Sequence, residues 1–233
     1  MIIPDSDGEL IPMKKTISLM LFFMWTFPLF SQNSAFGAVK GNAAEIYNNA
    51  RSLEGRGFMQ EAQSQYEQAA RICIDEISQN NASRETYTIL TWTLLRQKKY
   101  SDVIVWGERG VRIYAEEFRI LETMGEAYFY LDDFENSLKF MQRYVNSMPR
   151  GDRVSVAYFF KGEIYRLQEK FFLADMAYST AVKLQPEIAL WWYRLGTVQE
   201  KAGDVKTAAE AYEQALRLSP GYQAASDGLK RVR

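Results

Sequence analysis

The sequence of 233 residues contains no histidine and only one cysteine, Cys73. Without histidine the chain cannot form a Ser-His-Asp or Cys-His nucleophile system, or a metal site with histidine ligands. With no second thiol, no disulfide within the chain is possible, and we interpret Cys73 as a small apolar side chain in a helix rather than a reactive thiol. These absences exclude those catalytic and metal sites. Because a repeated helical pattern, described below, fills nearly all of the chain after residue 42 and leaves no room for a catalytic domain, we predict no enzyme, no cofactor and no metal ion.

The chain also lacks an excess of charge of either sign, with 28 basic and 29 acidic residues and a formal net charge of −1. Non-specific affinity for nucleic acids comes mainly from a basic excess that neutralises phosphates, so we expect no nucleic-acid partner. Hydrophobic residues make up 47% and aromatic residues 14% of the sequence. A disordered chain carries far fewer hydrophobic and aromatic residues, and we therefore expect an ordered structure from about Ala43 onward.

The region 1–37 is typical of a secretory signal peptide with an upstream extension. Residues 1–12 carry no periodic pattern, and Met13 begins a short basic start before an apolar run at 17–30. We expect Met13 to be the initiator and cleavage to follow Gly37, with cleavage after Ser31 as the alternative. An uncleaved inner-membrane anchor is a second alternative, although a helix needs about 20 apolar residues to span a bilayer. The predicted location is periplasmic or exported.

The stretch 189–222 contains two amphipathic helical runs broken near residues 201–204 and closed by a proline. One face of a 3.6-residue helix holds Trp192, Leu195 and Gly196 in the first run and Ala208, Tyr212 and Ala215 in the second. Gly196 and Ala208 are small where two antiparallel helices must cross closely, and larger side chains fill the space beside them. The pattern predicts a helical hairpin.

The order Trp-x-x-Leu-Gly, Ala-x-x-x-Tyr-x-x-Ala and Pro over this stretch resembles the tetratricopeptide repeat. The pattern recurs upstream, and the predicted units are 43–83, 84–117, 118–154, 155–188 and 189–222, followed by a capping helix at 223–233. The first unit is longer by about two helical turns, and the second is divergent. The resemblance implies an all-α fold, a right-handed α-solenoid of five hairpins.

The resemblance also implies a concave groove, lined by the first helix of each unit, that binds an extended peptide or a partner helix. The candidate partner-binding residues are Tyr47, Arg51, Trp92, Arg119, Glu122, Glu126, Phe159, Phe160, Glu163 and Tyr193. We expect the aromatic members to anchor a partner segment and the arginines to orient it. For Trp92, Phe159 and Phe160, packing in the core is the alternative. Glu122 and Glu126 are interpreted as a solvated helix face rather than an acid–base pair.

Some members of this family hold the C-terminal carboxylate of chaperones with two lysines, two asparagines and an arginine. The corresponding places here hold Tyr47, Arg51, Ile89, Arg119 and Thr123, so we expect no such clamp. The leading hypothesis is a non-enzymatic protein-binding scaffold of the bacterial cell envelope. The alternatives are an assembly factor for outer-membrane or secretion machinery, and a self-associating structural protein.

In the self-associating alternative, a possible homodimer would form through an exposed apolar patch on the second helix of the divergent unit. The residues expected to form that patch are Trp106 and Tyr114. Membrane contact is expected only if the apolar segment at 17–30 is not cleaved.

Overall fold

The computed structural model describes residues 42–115 and 117–233, and these ranges contain eleven α-helices and no strand. The helices are α1 Ala43–Gly55, α2 Met59–Ser78, α3 Arg84–Arg96, α4 Tyr100–Ile113, α5 Phe118–Tyr130, α6 Phe134–Ser147, α7 Val154–Leu167, α8 Phe171–Leu184, α9 Ala189–Ala202, α10 Val205–Leu218 and α11 Gln223–Val232. The expected all-α fold is confirmed. The predicted signal peptide, its cleavage sites and the initiator Met13 lie outside the described residues.

The helices pair into hairpins and stack into an α-solenoid. Each even-numbered helix packs against the odd-numbered helices on either side of it, and α1, α3, α5 and α7 also touch one another in sequence. The odd-numbered helices therefore form a continuous inner layer. α2 has 20 residues, whereas α4, α6, α8 and α10 have 14 each, which is the extension expected from the longer first unit.

Every hairpin turn contains one residue in the left-handed region, with φ between 57° and 86°. These residues are Gly57, Lys98, Asp132, Glu169 and Gly203. Glycine adopts this conformation without penalty, whereas a residue with a side chain loses about 1 kcal/mol or more. The first and last turns therefore carry the residue that the geometry favours, and the three middle turns keep the same conformation despite its cost.

A capping box begins α3 and fixes the junction between the first two hairpins. The Ser83 hydroxyl accepts a hydrogen bond from the Thr86 amide at 3.2 Å, and the Ser83 amide donates to Thr86 Oγ1 at 3.0 Å. The Thr86 hydroxyl in turn donates to Glu76 Oε2 of α2 at 2.7 Å. Ser83 is thus the N-cap of α3, and the box also ties the extended α2 to the next unit.

The last two hairpins close where a glycine of the first helix meets a large ring of the second. A Cβ atom added to Gly162 would lie 2.6 Å from the ring of Tyr178, and one added to Gly196 would lie 2.8 Å from the ring of Tyr212. Both tyrosines are fully buried. Cys73 is also fully buried in α2, and burial raises the pKa of its thiol to about 12, in keeping with a packing role.

Within 42–115 and 117–233, no helix has both the length and the apolar character needed to cross a bilayer. The same ranges contain no group of three or more acidic or cysteine side chains placed to hold a metal ion.

We predict that Gly162→Ala destabilises the protein by about 1–3 kcal/mol, because the buried Tyr178 ring has no room to move away from the new methyl group. Gly55→Ala is the matched control, since no atom lies within 4 Å of the Cβ position there, and alanine favours the helix. Urea unfolding followed by circular dichroism measures both. Equal midpoints for the two variants would show that the helix crossing tolerates a methyl group.

Candidate partner-binding groove

The inner faces of α1, α3 and α5 enclose a cavity of about 340 Å³. Its lining residues are Tyr47, Arg51, Glu54, Trp92, Leu95, Arg96, Lys98, Tyr100, Glu122, Thr123, Glu126, Tyr130 and Arg153. Five of the ten predicted residues are among them: Tyr47, Arg51, Trp92, Glu122 and Glu126. Most of the others lie at the ends of first helices, in turns or, for Tyr100, at the start of α4, outside the face assigned to the groove from the sequence. Thr123 lies in the middle of α5 and was considered from the sequence only as a place in the chaperone clamp.

Two pairs of aromatic rings contribute to the lining. The centroids of Tyr47 and Trp92 are 5.7 Å apart, and those of Tyr100 and Tyr130 are 4.7 Å apart with nearly parallel planes. Trp92 is half-buried, so it has both the packing role and the exposed surface that the sequence left as alternatives. The Arg119 guanidinium lies 5.9 Å from the Trp92 ring centroid, beside the cavity but not in its lining.

Glu122 and Glu126 share the guanidinium of Arg153, which precedes α7. Arg153 donates to Glu122 Oε1 at 2.7 and 2.9 Å and to Glu126 Oε2 at 3.1 Å. The side chains of Glu122 and Glu126 are only 4% and 13% exposed. The interpretation of this pair as a solvated helix face is therefore wrong. Both carboxylates form part of a charged cluster that links the third and fourth hairpins.

Glu122 and Glu126 share one arginine, and the pKa of Glu126 lies above its ordinary value. Burial and the neighbouring carboxylate of Glu122 raise the pKa of Glu126 from 4.5 to about 7, even though the charges of Arg153 and Arg96 act in the opposite direction. The charge of Glu126 in turn raises the pKa values of Tyr100 and Tyr130, which burial already raises. Glu126 therefore changes its charge near neutral pH.

A second charged group lies on the other side of the cavity, between the first two hairpins. The Tyr66 hydroxyl donates to Glu54 Oε2 at 2.7 Å, and Arg96 Nη1 lies 3.8 Å from the same oxygen. The charge of Arg96 and its hydrogen bond to the Tyr47 hydroxyl partly offset the effect of burial on the pKa of Tyr47, which stays above its ordinary value. Tyr47 is 5% exposed, so it contributes to the wall mainly as a packed ring.

Beyond α5, the inner face is filled by the protein's own side chains. Phe159 and Phe160 have no exposed surface, so their predicted place on an open groove is wrong. The Phe159 ring stacks on Trp191 of α9 with centroids 5.1 Å apart. The Phe160 ring meets the edge of Phe129 of α5 at the same centroid distance. Their burial follows from the neighbouring hairpins, which bring large rings against α7 from both sides.

Glu163 was also predicted to line the groove, and it is fully buried instead. Arg166 Nη2 lies 2.9 Å from Glu163 Oε2, and Arg194 Nε lies 3.1 Å from Glu163 Oε1. The hydroxyl of the buried Tyr178 also donates to this carboxylate. Glu163 thus joins α7 to α8 and α9 by an internal ion-pair network and offers no surface to a partner.

Three further residues named from the sequence, Tyr193 of α9 and Trp106 and Tyr114 at α4, pack against neighbouring side chains. Tyr193 is half-buried at the C-terminal end, where its ring packs against Tyr212 and Tyr222. Trp106 and Tyr114, expected to form an exposed patch on α4, are likewise half-buried. The Tyr114 hydroxyl donates to the Ala82 carbonyl oxygen at 3.2 Å, which ties this ring to the preceding junction instead of exposing it.

Comparisons with known proteins agree with this architecture. A family model described as tetratricopeptide repeat matches residues 168–222. Human protein O-mannosyl-transferase TMTC1 is 25% identical over 197 residues, which cover 82% of this chain and 22% of that protein. The chain thus spans less than a quarter of the length of the curated relative that it matches.

Solved structures show the same fold at low identity. A chain of the APC/C hetero-tetramer Cut9-Hcn1 superposes with a TM-score of 0.65 at 17% identity, covering 82% of this chain and 36% of that one. YrrB, described as a TPR protein with an unusual peptide-binding site, superposes with a TM-score of 0.55 at 17% identity. That match covers 81% of this chain and 92% of YrrB.

We predict that Glu163→Gln destabilises the protein by about 3 kcal/mol, because it leaves the positive charges of Arg166 and Arg194 without their buried counter-charge. Glu187→Gln, at an exposed position between α8 and α9, is the control and should leave stability within about 0.5 kcal/mol of the unaltered chain. Urea unfolding measures both. If the two variants unfold at the same midpoint, the buried network does not hold these hairpins together.

Glu126→Gln should make the protein more stable at pH 8 and have little effect at pH 4. Since folding raises the pKa of Glu126 from 4.5 to about 7, its contribution to stability is complete below pH 4.5 and is lost as pH rises through 7. The groups facing Glu126 are Glu122 and Tyr130 of α5, Arg96 of α3, Tyr100 of α4 and Arg153 before α7.

Thermal unfolding of the unaltered protein and of Glu126→Gln across pH 4–8 tests this pH dependence. We expect the midpoint of Glu126→Gln to exceed that of the unaltered chain by a few degrees at pH 8, on the scale of about 2–4 °C per kcal/mol. The difference should narrow as pH falls. A variant that is less stable at pH 8 would mean that the ionised carboxylate stabilises the cluster.

Proposed function

Because this chain is a tetratricopeptide repeat protein, we propose that it is a non-enzymatic scaffold that binds a segment of another protein between α1, α3 and α5. One observation carries the proposal: the inner face is open over these three helices and filled beyond them. The cavity of about 340 Å³ combines half-buried rings with charged side chains, a combination typical of binding sites. The peptide-binding site named for YrrB supports the same use of the fold.

The bacterial cell envelope is the proposed place of action. The support is the arrangement of Met13, the basic residues after it and the apolar run at 17–30, which is typical of an export signal. A role in assembling outer-membrane or secretion machinery is a narrower version of this proposal. In either version the protein acts by holding a partner, and we propose no catalytic step.

Self-association is a second candidate, favoured by one exposed apolar surface. On the outer face of α8, Phe172 is 73% exposed, Met176 55% and Leu173 41%. Side chains of this size in one contiguous patch are a common feature of contacts between proteins. This patch replaces the one expected on α4, and a mass that rises with concentration in light scattering would support it.

We predict that Trp92→Ala abolishes capture of the partner segment, because it removes a ring that lines the cavity and packs on Tyr47. Trp106→Ala is the matched control, since Trp106 is half-buried on α4 and does not line the cavity. The measurement is chemical crosslinking in intact cell envelopes with the full chain, followed by identification of the captured proteins.

Circular dichroism first establishes that both variants keep their helices. The proposal expects the same proteins with the unaltered chain and Trp106→Ala, and their loss with Trp92→Ala. Retention of all captured proteins by a folded Trp92→Ala variant would rule out the cavity as the binding site. If the chain crosslinks only to other copies of itself, the result favours self-association.

A further inference from the structure

The ion-paired charges of the cavity do not balance. Three carboxylates, those of Glu54, Glu122 and Glu126, have side chains no more than 25% exposed. Two arginines, Arg96 and Arg153, form ion pairs with them; the Arg96 side chain is 19% exposed and the Arg153 side chain 44%. Within this ion-paired set of five side chains the formal charge is −1 when all the carboxylates are ionised. One more positive charge would complete the pairing inside the cavity.

Glu126 is the carboxylate that lacks a full positive counter-charge. Arg153 contacts Glu122 through two nitrogen atoms, at 2.7 and 2.9 Å, and reaches Glu126 through only one, at 3.1 Å. Glu126 is the carboxylate whose pKa burial and Glu122 raise to about 7, so near neutral pH a proton partly supplies the missing charge. A cation delivered by a ligand would replace that proton.

The surfaces beside Glu126 are suited to a cation. Tyr100 and Tyr130 line the same cavity, stacked with their ring centroids 4.7 Å apart, and the charge of Glu126 perturbs both hydroxyls. Aromatic rings attract ammonium and guanidinium groups, most strongly where water is partly excluded. A carboxylate beside two rings is therefore a favourable place for a basic side chain.

The other two cations of the lining, Arg51 and Lys98, form no ion pair with these carboxylates in the part of the chain that the structure describes. Both are exposed to solvent, so water and salt screen their charges from the cavity interior. They can contact the flanking parts of a bound segment. They do not supply the counter-charge that Glu126 lacks.

We propose that the segment bound between α1, α3 and α5 is basic, and that one of its lysine or arginine side chains enters between Glu126 and the rings of Tyr100 and Tyr130. This inference rests on the proposed function and specifies the partner for that same cavity. The entering cation pairs with the Glu126 carboxylate and displaces its proton to solvent. Affinity should therefore rise with pH through neutrality.

The test is selection of a random heptapeptide library, displayed on phage, with the full chain at pH 8. Binders are retested on the folded Trp92→Ala and Trp106→Ala variants to identify those that need the cavity. We expect cavity-dependent binders to be enriched in lysine or arginine at one position. Cavity-dependent binders that are acidic or carry no basic enrichment would overturn this inference and leave the proposed function standing. Failure to obtain any cavity-dependent binder would contradict the proposed function, and the inference would fall with it.

The pH dependence of one selected basic peptide then tests the role of Glu126 directly. With a pKa of about 7, the ionised fraction rises from about one tenth at pH 6 to nine tenths at pH 8, so affinity should rise by up to about tenfold. Glu126→Gln should lower the affinity at pH 8 and remove most of this rise. Glu135→Gln, at an exposed site on α6, is the control and should keep the rise in affinity between pH 6 and pH 8. An affinity that is unchanged in Glu126→Gln would show that this carboxylate does not receive the basic side chain.

Discussion

A two-helix hairpin is too thin to bury its own apolar face. The structure therefore depends on the stacking of neighbouring hairpins, which buries these faces against one another. Each second helix packs on the first helix of its own unit and on that of the next. Within a hairpin, contacts such as Gly162 with the Tyr178 ring let the helix axes approach closely. Once the spacing of one hairpin is set in this way, its neighbours must repeat it, and the first helices become a continuous inner layer.

Repetition places equivalent residues in rows along that layer, but neighbours decide what each one does. Trp92, Glu126 and Glu163 occupy the same place in successive units. Trp92 lines the cavity half-buried, Glu126 lies within it, and Glu163 is enclosed because α9 brings Arg194 against it. The inner face therefore divides into an open part and a filled part. Binding is proposed only for the open part, and the filled part forms the internal core of the last two hairpins.

The sequence predicted the fold well because its evidence is local. Helix periodicity and the longer α2 each depend on residues close together in the chain. The candidate site was predicted only in part, since burial of Phe159 depends on Trp191 in another unit. Arg153 was missed for a different reason: it lies in the turn that carries extra residues between the third and fourth hairpins, outside any repeated pattern.

Site-specific photo-crosslinking tests the central claim, that partners bind the open part of the inner face, most directly. A photoreactive amino acid replaces Arg51 in the cavity lining or, in a second chain, Met176 on the outer face of α8. Both positions tolerate a large side chain because both are exposed. After irradiation of intact cells, we expect position 51 to form an adduct with a different protein and position 176 to form none. An adduct formed only from position 176 would contradict it and place the contact on the outer face.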